Sequence, residues 1–527
     1  MSNSLDGKIV RSKAVQTSPW TDLVMDSAEI AIGSEPRERK VLATFIHLSD
    51  LHICDAASPA RLEFLDRIAD PDNPLSAIVP YVGTYRAQEF LTTQVLEAMV
   101  AAVNEIAIAP MTGAPIDAVV ITGDVVDNAQ SNELDWYKTI LDGGIVNPKS
   151  GDAEKSEAAH SSQPDRYDIH YYHPDGPPDG EEPDRPHVFH GFPHFKGLRA
   201  ASERIFTARG LKHPWLAVHG NHDALLQGTA APTELLDEVV TGTSKLSALK
   251  NMDDLATLFA GFGEVGPATY PGIDHLETVE VTADPRRKLV TLQDWVKVHT
   301  ECGHDHGLDV EQSQTAYWYR NIGTDVRLIA LDTVNRYGGW QGCIHREQFQ
   351  WLHDLLQAST DKYVVLSSHH PLEDLFNGYV PDDQPAPALE KEMRALIEKF
   401  PNVILWFSGH VHDHKIQEAK RADGQHAFWE IRTGSHIDWP QQSRVIEIMK
   451  SENQQIVIGT SIIDHAGPLQ FNGTASELED PIALAGFSRL LAANDWQRNR
   501  DGATSFESME GRPSDRNIWL WANDPLD

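Results

Sequence analysis

Residues 402–414 read NVILWFSGHVHDH. Five apolar residues in a row, 403–407, with no helical spacing and a polar loop directly after them, read as a short buried strand. Gly409 then bends the chain, and His410, His412 and His414 follow on alternate positions. With 25 histidines in 527 residues, some clustering is expected by chance, so other segments have to decide whether this one is functional.

The same grammar recurs along the chain. VLATFIHLSDLH (41–52), IDAVVITGDVVD (116–127), HPWLAVHGNHD (213–223), DVRLIALDTVN (325–335) and DKYVVLSSHHP (361–371) are apolar, β-branched runs that end in polar residues. Helical spacing marks 91–107, 346–359 and 388–400 between them. Strands alternating with helices predict a layered α/β protein with a largely parallel sheet. In such sheets, ligands bind beyond the carboxyl ends of the strands. Five strand ends therefore deliver Asp50 and His52, Asp124 and Asp127, Asn221 and His222, His369 and His370, and His410 and His412 to one edge.

These side chains are oxygen and imidazole donors without a thiolate, which suits manganese, iron or zinc. Seven candidate ligands exceed the needs of one four-coordinate zinc and suit two ions. In their order, DLH, GDVVD, GNHD, HHP and GHVH resemble the calcineurin-like metallophosphoesterase superfamily over roughly residues 41–470. LIALDTV and GCIHREQFQWL are similar to its later strand and following helix. The long insertions and the tail SDRNIWLW resemble a bacterial, mainly actinobacterial, subgroup.

The resemblance implies a four-layer α/β/β/α sandwich with inserted cap segments, two divalent ions as cofactors, and a phosphoester as substrate. It implies that Asp50, His52 and His412 hold one ion, that Asn221, His369 and His410 hold the other, and that Asp124 bridges them. His369 is chosen over His370 because the family's ligand lies two residues before the proline. His222 matches the histidine that steadies the phosphoryl oxygens and protonates the leaving alkoxide. Asp223 is expected to orient that imidazole by hydrogen bonding. The ions would supply hydroxide near neutral pH for in-line attack at phosphorus. The substrate is expected to be a small phosphoester, with a diester favoured. A monoester, a nucleotide pyrophosphate bond and a non-catalytic scaffold are the alternatives.

Purple acid phosphatases resemble this motif set but place a tyrosine, an iron(III) ligand, where Asp127 stands. Asp127 and His370 read as neighbours that support ligands or touch substrate, and His436 in TGSHIDWP is a further candidate of that kind. His414 reads as exposed or supporting rather than ligating. Cys54, just after DLH, reads as a packed small residue. The histidines of 160–195 are irregularly spaced, as in a solvated insertion rather than a second metal site.

Residues 1–40 read as a polar lead-in, 41–470 as the catalytic domain with insertions at about 145–200 and 228–320, and 471–527 as an extension packing on the core. Lys and Arg total 44 against 78 Asp and Glu, a formal charge of −34. That surface repels long nucleic acids. No apolar run is long enough for a membrane span. Three cysteines, Cys54, Cys302 and Cys343, fit a reducing compartment, and the opening residues lack the layout of a secretory signal. A cytoplasmic protein is expected.

Overall fold

The computed structural model describes residues 5–526 except 6, 14–18, 27–32, 34, 37–38, 78, 80–81, 252–253, 256–274, 302–314, 422–423, 425, 452, 454 and 499–504. Cys302 lies outside the described residues.

Two six-stranded sheets carry the fold. In chain order the strands are β1 (Arg39–Leu48), β2 (Ala118–Thr122), β3 (Trp215–Val218), β4 (Trp318–Ile322), β5 (Val326–Leu331), β6 (Tyr363–Ser368), β7 (Val403–Ser408), β8 (Lys415–Lys420), β9 (His426–Arg432), β10 (Gln442–Ser451), β11 (Gln455–Asp464) and β12 (Ile518–Asn523). The first sheet runs β12-β11-β10-β1-β2-β3 and the second β4-β5-β6-β7-β9-β8. β1, β2 and β3 are parallel, as are β5, β6, β7 and β9. Antiparallel strands flank both groups.

Side-chain alternation stacks the layers. On the second sheet, Leu328, Ala330, Val365, Leu405 and Phe407 join a core shared with Phe45, Ile46 and Leu48 of the first. Their neighbours Ile329, Leu331, Val364, Leu366 and Trp406 face the other way, onto Leu352, Leu356, Met393 and Leu396. Those four residues lie on helices Arg346–Gln357 and Glu390–Ile397. Helices Thr92–Asn104 and Ser131–Asp142 pack on the first sheet through Leu96, Met99, Val100, Leu134 and Tyr137. The order helix, sheet, sheet, helix is thereby built. Parallel strands covered on both faces need apolar residues at every position, which is why they read as unbroken runs.

Trp295 and Trp318 are buried in the large apolar cluster that contains the inter-sheet core, and residues 318–322 are an edge strand of the second sheet. IWLW enters the first sheet as β12, hydrogen-bonded to β11. Among the described residues, no helix is long and apolar enough to cross a membrane.

Candidate metal centre

The carboxyl ends of β1, β2 and β3 from one sheet, and of β6 and β7 from the other, meet along one edge. Eight described non-glycine residues have positive φ, and five of them are Asp50 (52°), His52 (44°), Asp124 (50°), His410 (70°) and His412 (62°). L-residues enter this region at a cost, and such outliers concentrate at functional sites. The chain here is folded around the side chains' direction, not around its own comfort. Gly409 is required by the same crowding, since a Cβ there would overlap Ser49 Oγ and Asp50 Oδ2.

Hydrogen-bond partners fix the imidazole tautomers. His52 Nδ1 lies 3.0 Å from Asp127 Oδ1, and His412 Nδ1 lies 2.6 Å from Asp438 Oδ2. Each Nδ1–H donates to its carboxylate, which leaves each Nε2 with a lone pair. Those two nitrogens face one another at 3.2 Å. His369 repeats the arrangement: its Nδ1–H donates to the Thr122 carbonyl at 2.7 Å, and its Nε2 faces His410 Nδ1 at 3.2 Å and Asp124 Oδ2 at 3.2 Å. Asp124 Oδ2 is 3.7 Å from His52 Nε2, and Asp50 Oδ1 is 3.3 Å from His412 Nε2. Asn221 donates through Nδ2 to the Gly228 carbonyl at 3.0 Å, and its buried Oδ1 has no hydrogen-bond partner. Imidazole nitrogens and carboxylate oxygens thus converge on one another, and this nitrogen and oxygen donor set fits a cation. Within Asp50/His52/His412 and within Asp50/Asp124/His369, the donor atoms lie within 4.8 Å of each other.

The supporting layer is symmetrical in its logic. Asp127, which anchors His52, is paired with Arg61, and Arg61 also donates to Glu89 at 2.7 Å. Asp438, which anchors His412, is held by Arg86 at 2.7 Å and Arg498 at 2.8 Å. Burial would raise both carboxyls, yet Arg61 keeps Asp127, and Arg498 and Arg86 keep Asp438, well below the usual carboxylate range. Arg61, Arg86, Asp438 and Arg498 carried no signal in the sequence: they are single charges in irregular segments. Carboxylates of this kind set the tautomer and basicity of a ligating imidazole. Asp438→Asn is expected to lower metal affinity about 10- to 100-fold, read as a shift in the Mn²⁺ concentration that restores activity; an unshifted curve would remove the role.

The remaining expected residues fall as follows. His222 is part-buried; its Nδ1–H donates to the Asp127 carbonyl at 2.7 Å and its backbone N–H to Asp124 Oδ1 at 2.8 Å. Burial, against the pull of Asp124, lowers its pKa to about 4. Asp223 does not orient that imidazole. Its carboxylate accepts from the backbone N–H groups of Val125 (2.8 Å), Val126 (3.3 Å) and Gly220 (2.8 Å), tying two strand-end turns together. The orienting group is the Asp127 carbonyl.

His370 has both ring nitrogens engaged: Nδ1 accepts from Thr333 Oγ1 at 2.8 Å and Nε2–H donates to the Trp340 carbonyl at 2.9 Å. It therefore offers no lone pair. His436 donates its backbone N–H to the Asp50 carbonyl at 3.0 Å and its ring bonds Ser443. His414 is buried rather than exposed, its Nδ1 accepting from Gly434 and Arg444. Cys54 is buried, with Arg61 Nη1 3.0 Å from its sulfur. Within 160–195, His194 bonds Asp184 at 2.7 Å, His173 the Asp168 carbonyl at 2.8 Å and His170 Asp70 at 2.5 Å, while His187 is exposed. None of them falls among the clusters of metal-donor side chains found in the described residues.

Residues 188–414 match the family model of the calcineurin-like phosphoesterases. The match takes in Asn221, His222, His369, His410 and His412, while Asp50, His52 and Asp124 lie outside it and join them through the fold. Among solved structures, the chain is similar to a dimetal phosphatase from Danio rerio, at 12% identity and a TM-score of 0.35 over 80% of this chain and 96% of that one. It is also similar to GAP50, the anchor in the inner membrane complex of Plasmodium, at 10% identity and a TM-score of 0.28 over 81% and 85%. No curated protein matches the chain. Because Asp127 is a carboxylate engaged by His52 and Arg61, the protein is expected to be colourless or weakly coloured when loaded with iron. A strong visible charge-transfer band would contradict this.

Proposed function

We propose that the protein is a calcineurin-like, dinuclear metal-dependent hydrolase of small phosphoesters, with diesters preferred. The observation that carries this is the convergence of imidazole nitrogens and carboxylates at one sheet edge. Asp50, His52 and His412 would hold one ion, Asn221, His369 and His410 the other, and Asp124 would lie between them. Two ions of manganese, iron or zinc suit these donors, and they supply an activated water and neutralise phosphoryl charge.

The chain's own residues then orient and exchange protons. His222 is tethered through Nδ1, so its Nε2 is the atom that can pass a proton to a leaving oxygen. Arg61, Arg86 and Arg498 are committed to Asp127, Glu89 and Asp438, which leaves the ions to meet the substrate's charge. A diester, with one negative charge, makes a smaller demand than a dianionic monoester. Buried free thiols at Cys54 and Cys343 favour a reducing, cytoplasmic setting, and the formal charge of −34 argues against long nucleic acid as partner. Residues 41–470 would form the catalytic unit, with the C-terminal extension completing its sheet.

The test is turnover of bis(4-nitrophenyl) phosphate beside 4-nitrophenyl phosphate in Mn²⁺, on protein of known metal content. Activity confined to the monoester would overturn the diester preference and leave the phosphomonoesterase reading. Cleavage restricted to nucleoside diphosphate derivatives would move the assignment to pyrophosphate bonds. Protein that holds less than one ion per chain and turns over none of these would be the non-catalytic scaffold.

A further inference from the structure

Trp340 and Phe376 are each 42% exposed, and they stand against the candidate ligands. The Trp340 indole lies nearly parallel to the His410 imidazole, at 19° with ring centres 5.8 Å apart. Phe376 meets Trp340 edge-on, at 88° and 5.8 Å. One ring sits on the loop after β5 and the other on the loop after β6, the same sheet edge that presents His369 and His410.

The backbone behind these rings is cross-laced. Asn335 Nδ2 donates to the Tyr379 carbonyl at 2.8 Å, Asn377 Nδ2 to the Gly338 carbonyl at 2.9 Å, and Asn377 N–H to the Gly342 carbonyl at 3.0 Å. Gly339 N–H reaches the Thr229 carbonyl at 2.9 Å, and the Trp340 carbonyl takes the His370 proton. Two large rings are thus held in the open on loops with little freedom. A protein that only needed to fill space would have buried them. Two rings are far smaller than a protein–protein interface, and their position beside His410 points to a small molecule.

We propose that Trp340 and Phe376 form the wall that receives a planar aromatic group of the substrate, so that the phosphoesters favoured are those of an aryl alcohol or a nucleoside. The inference rests on the phosphoesterase reading. Stacking supplies uncharged attraction, which matters for an anionic substrate approaching a protein of charge −34. Phe376 and Trp340 act here as specificity-determining residues.

The test uses phosphonates, whose carbon–phosphorus bond is not an ester and survives the enzyme. The affinities of benzylphosphonate, an adenosine phosphonate and propylphosphonate are measured on the full chain loaded with Mn²⁺, alongside turnover of bis(4-nitrophenyl) phosphate. An aromatic phosphonate should bind more tightly than the propyl compound, and the two aromatic probes separate an aryl from a nucleobase preference. Phe376→Ala, which does not touch a ligand, should weaken the preferred aromatic probe about 5- to 10-fold and leave propylphosphonate unchanged. In turnover it should raise KM by a similar factor with kcat within about twofold. Trp340→Leu should act in the same direction.

Equal binding of all three probes, equal weakening of all three by Phe376→Ala, or no binding of any would overturn the proposal. Aromatic discrimination that depends on Phe376, with no turnover of any phosphoester, would keep the wall and remove the hydrolase reading. Turnover without discrimination would do the reverse.

Discussion

Asp124→Asn is expected to fold and to lose phosphoester turnover by about 10³-fold or more. Asp124 is almost fully buried, and its two oxygens have different duties. Oδ1 accepts the His222 backbone N–H at 2.8 Å, while Oδ2 sits 3.2 Å from His369 Nε2 and 3.7 Å from His52 Nε2. An asparagine can keep the first contact with its own oxygen. Its amide NH₂ then occupies the place of Oδ2 and donates to the imidazole lone pairs. The substitution satisfies the site internally and removes the charge and the acceptor that two cations would share. Metal per chain should therefore fall below two. A variant that keeps two ions and turns over within about tenfold of the parent would show that Asp124 is not the shared group.

His222→Ala should divide substrates by their leaving groups. Proton transfer by a positioned imidazole is worth about 10²- to 10⁴-fold, but only where the departing oxygen is basic. Alkyl phosphoesters should show that loss, and nitrophenyl esters much less of it, because nitrophenolate departs without a proton. With its pKa near 4, the imidazole is neutral in the substrate-free site. It has to gain its proton as the phosphoryl group brings negative charge beside it. The Asp127 carbonyl, by holding Nδ1–H, directs that second proton to Nε2. Equal losses on both substrate classes would leave His222 as a positioning group and remove the acid role.

The strand ends were legible because a fully covered parallel strand must be apolar throughout, so the first polar residue marks where the sheet stops. That rule brought the loops holding Asp50, Asp124, Asn221, His369 and His410 to one edge, and the resemblance to the metallophosphoesterases singled these residues out within them. It says nothing about what steadies them. Asp438 supports His412 from 26 residues away and Arg61 supports Asp127 from 66, and neither lies in a periodic pattern. Asp223 misled for a simple reason: adjacent residues on a helical turn point in different directions, so its position next to His222 did not make it that residue's partner. The adjacent pair His369 and His370 is separated by their second nitrogens. Only the backbone and Thr333 show that His370 has none to spare.

Four of the seven candidate ligands, Asp50, His52, Asp124 and Asn221, come from one sheet, and three, His369, His410 and His412, from the other. Cations bound there would rivet the two halves of the sandwich together across their seam. Chelation should then loosen more than the catalytic edge. Amide exchange at the ends of β2 and β7, which share no hydrogen bonds, should quicken in step when the ions are withdrawn.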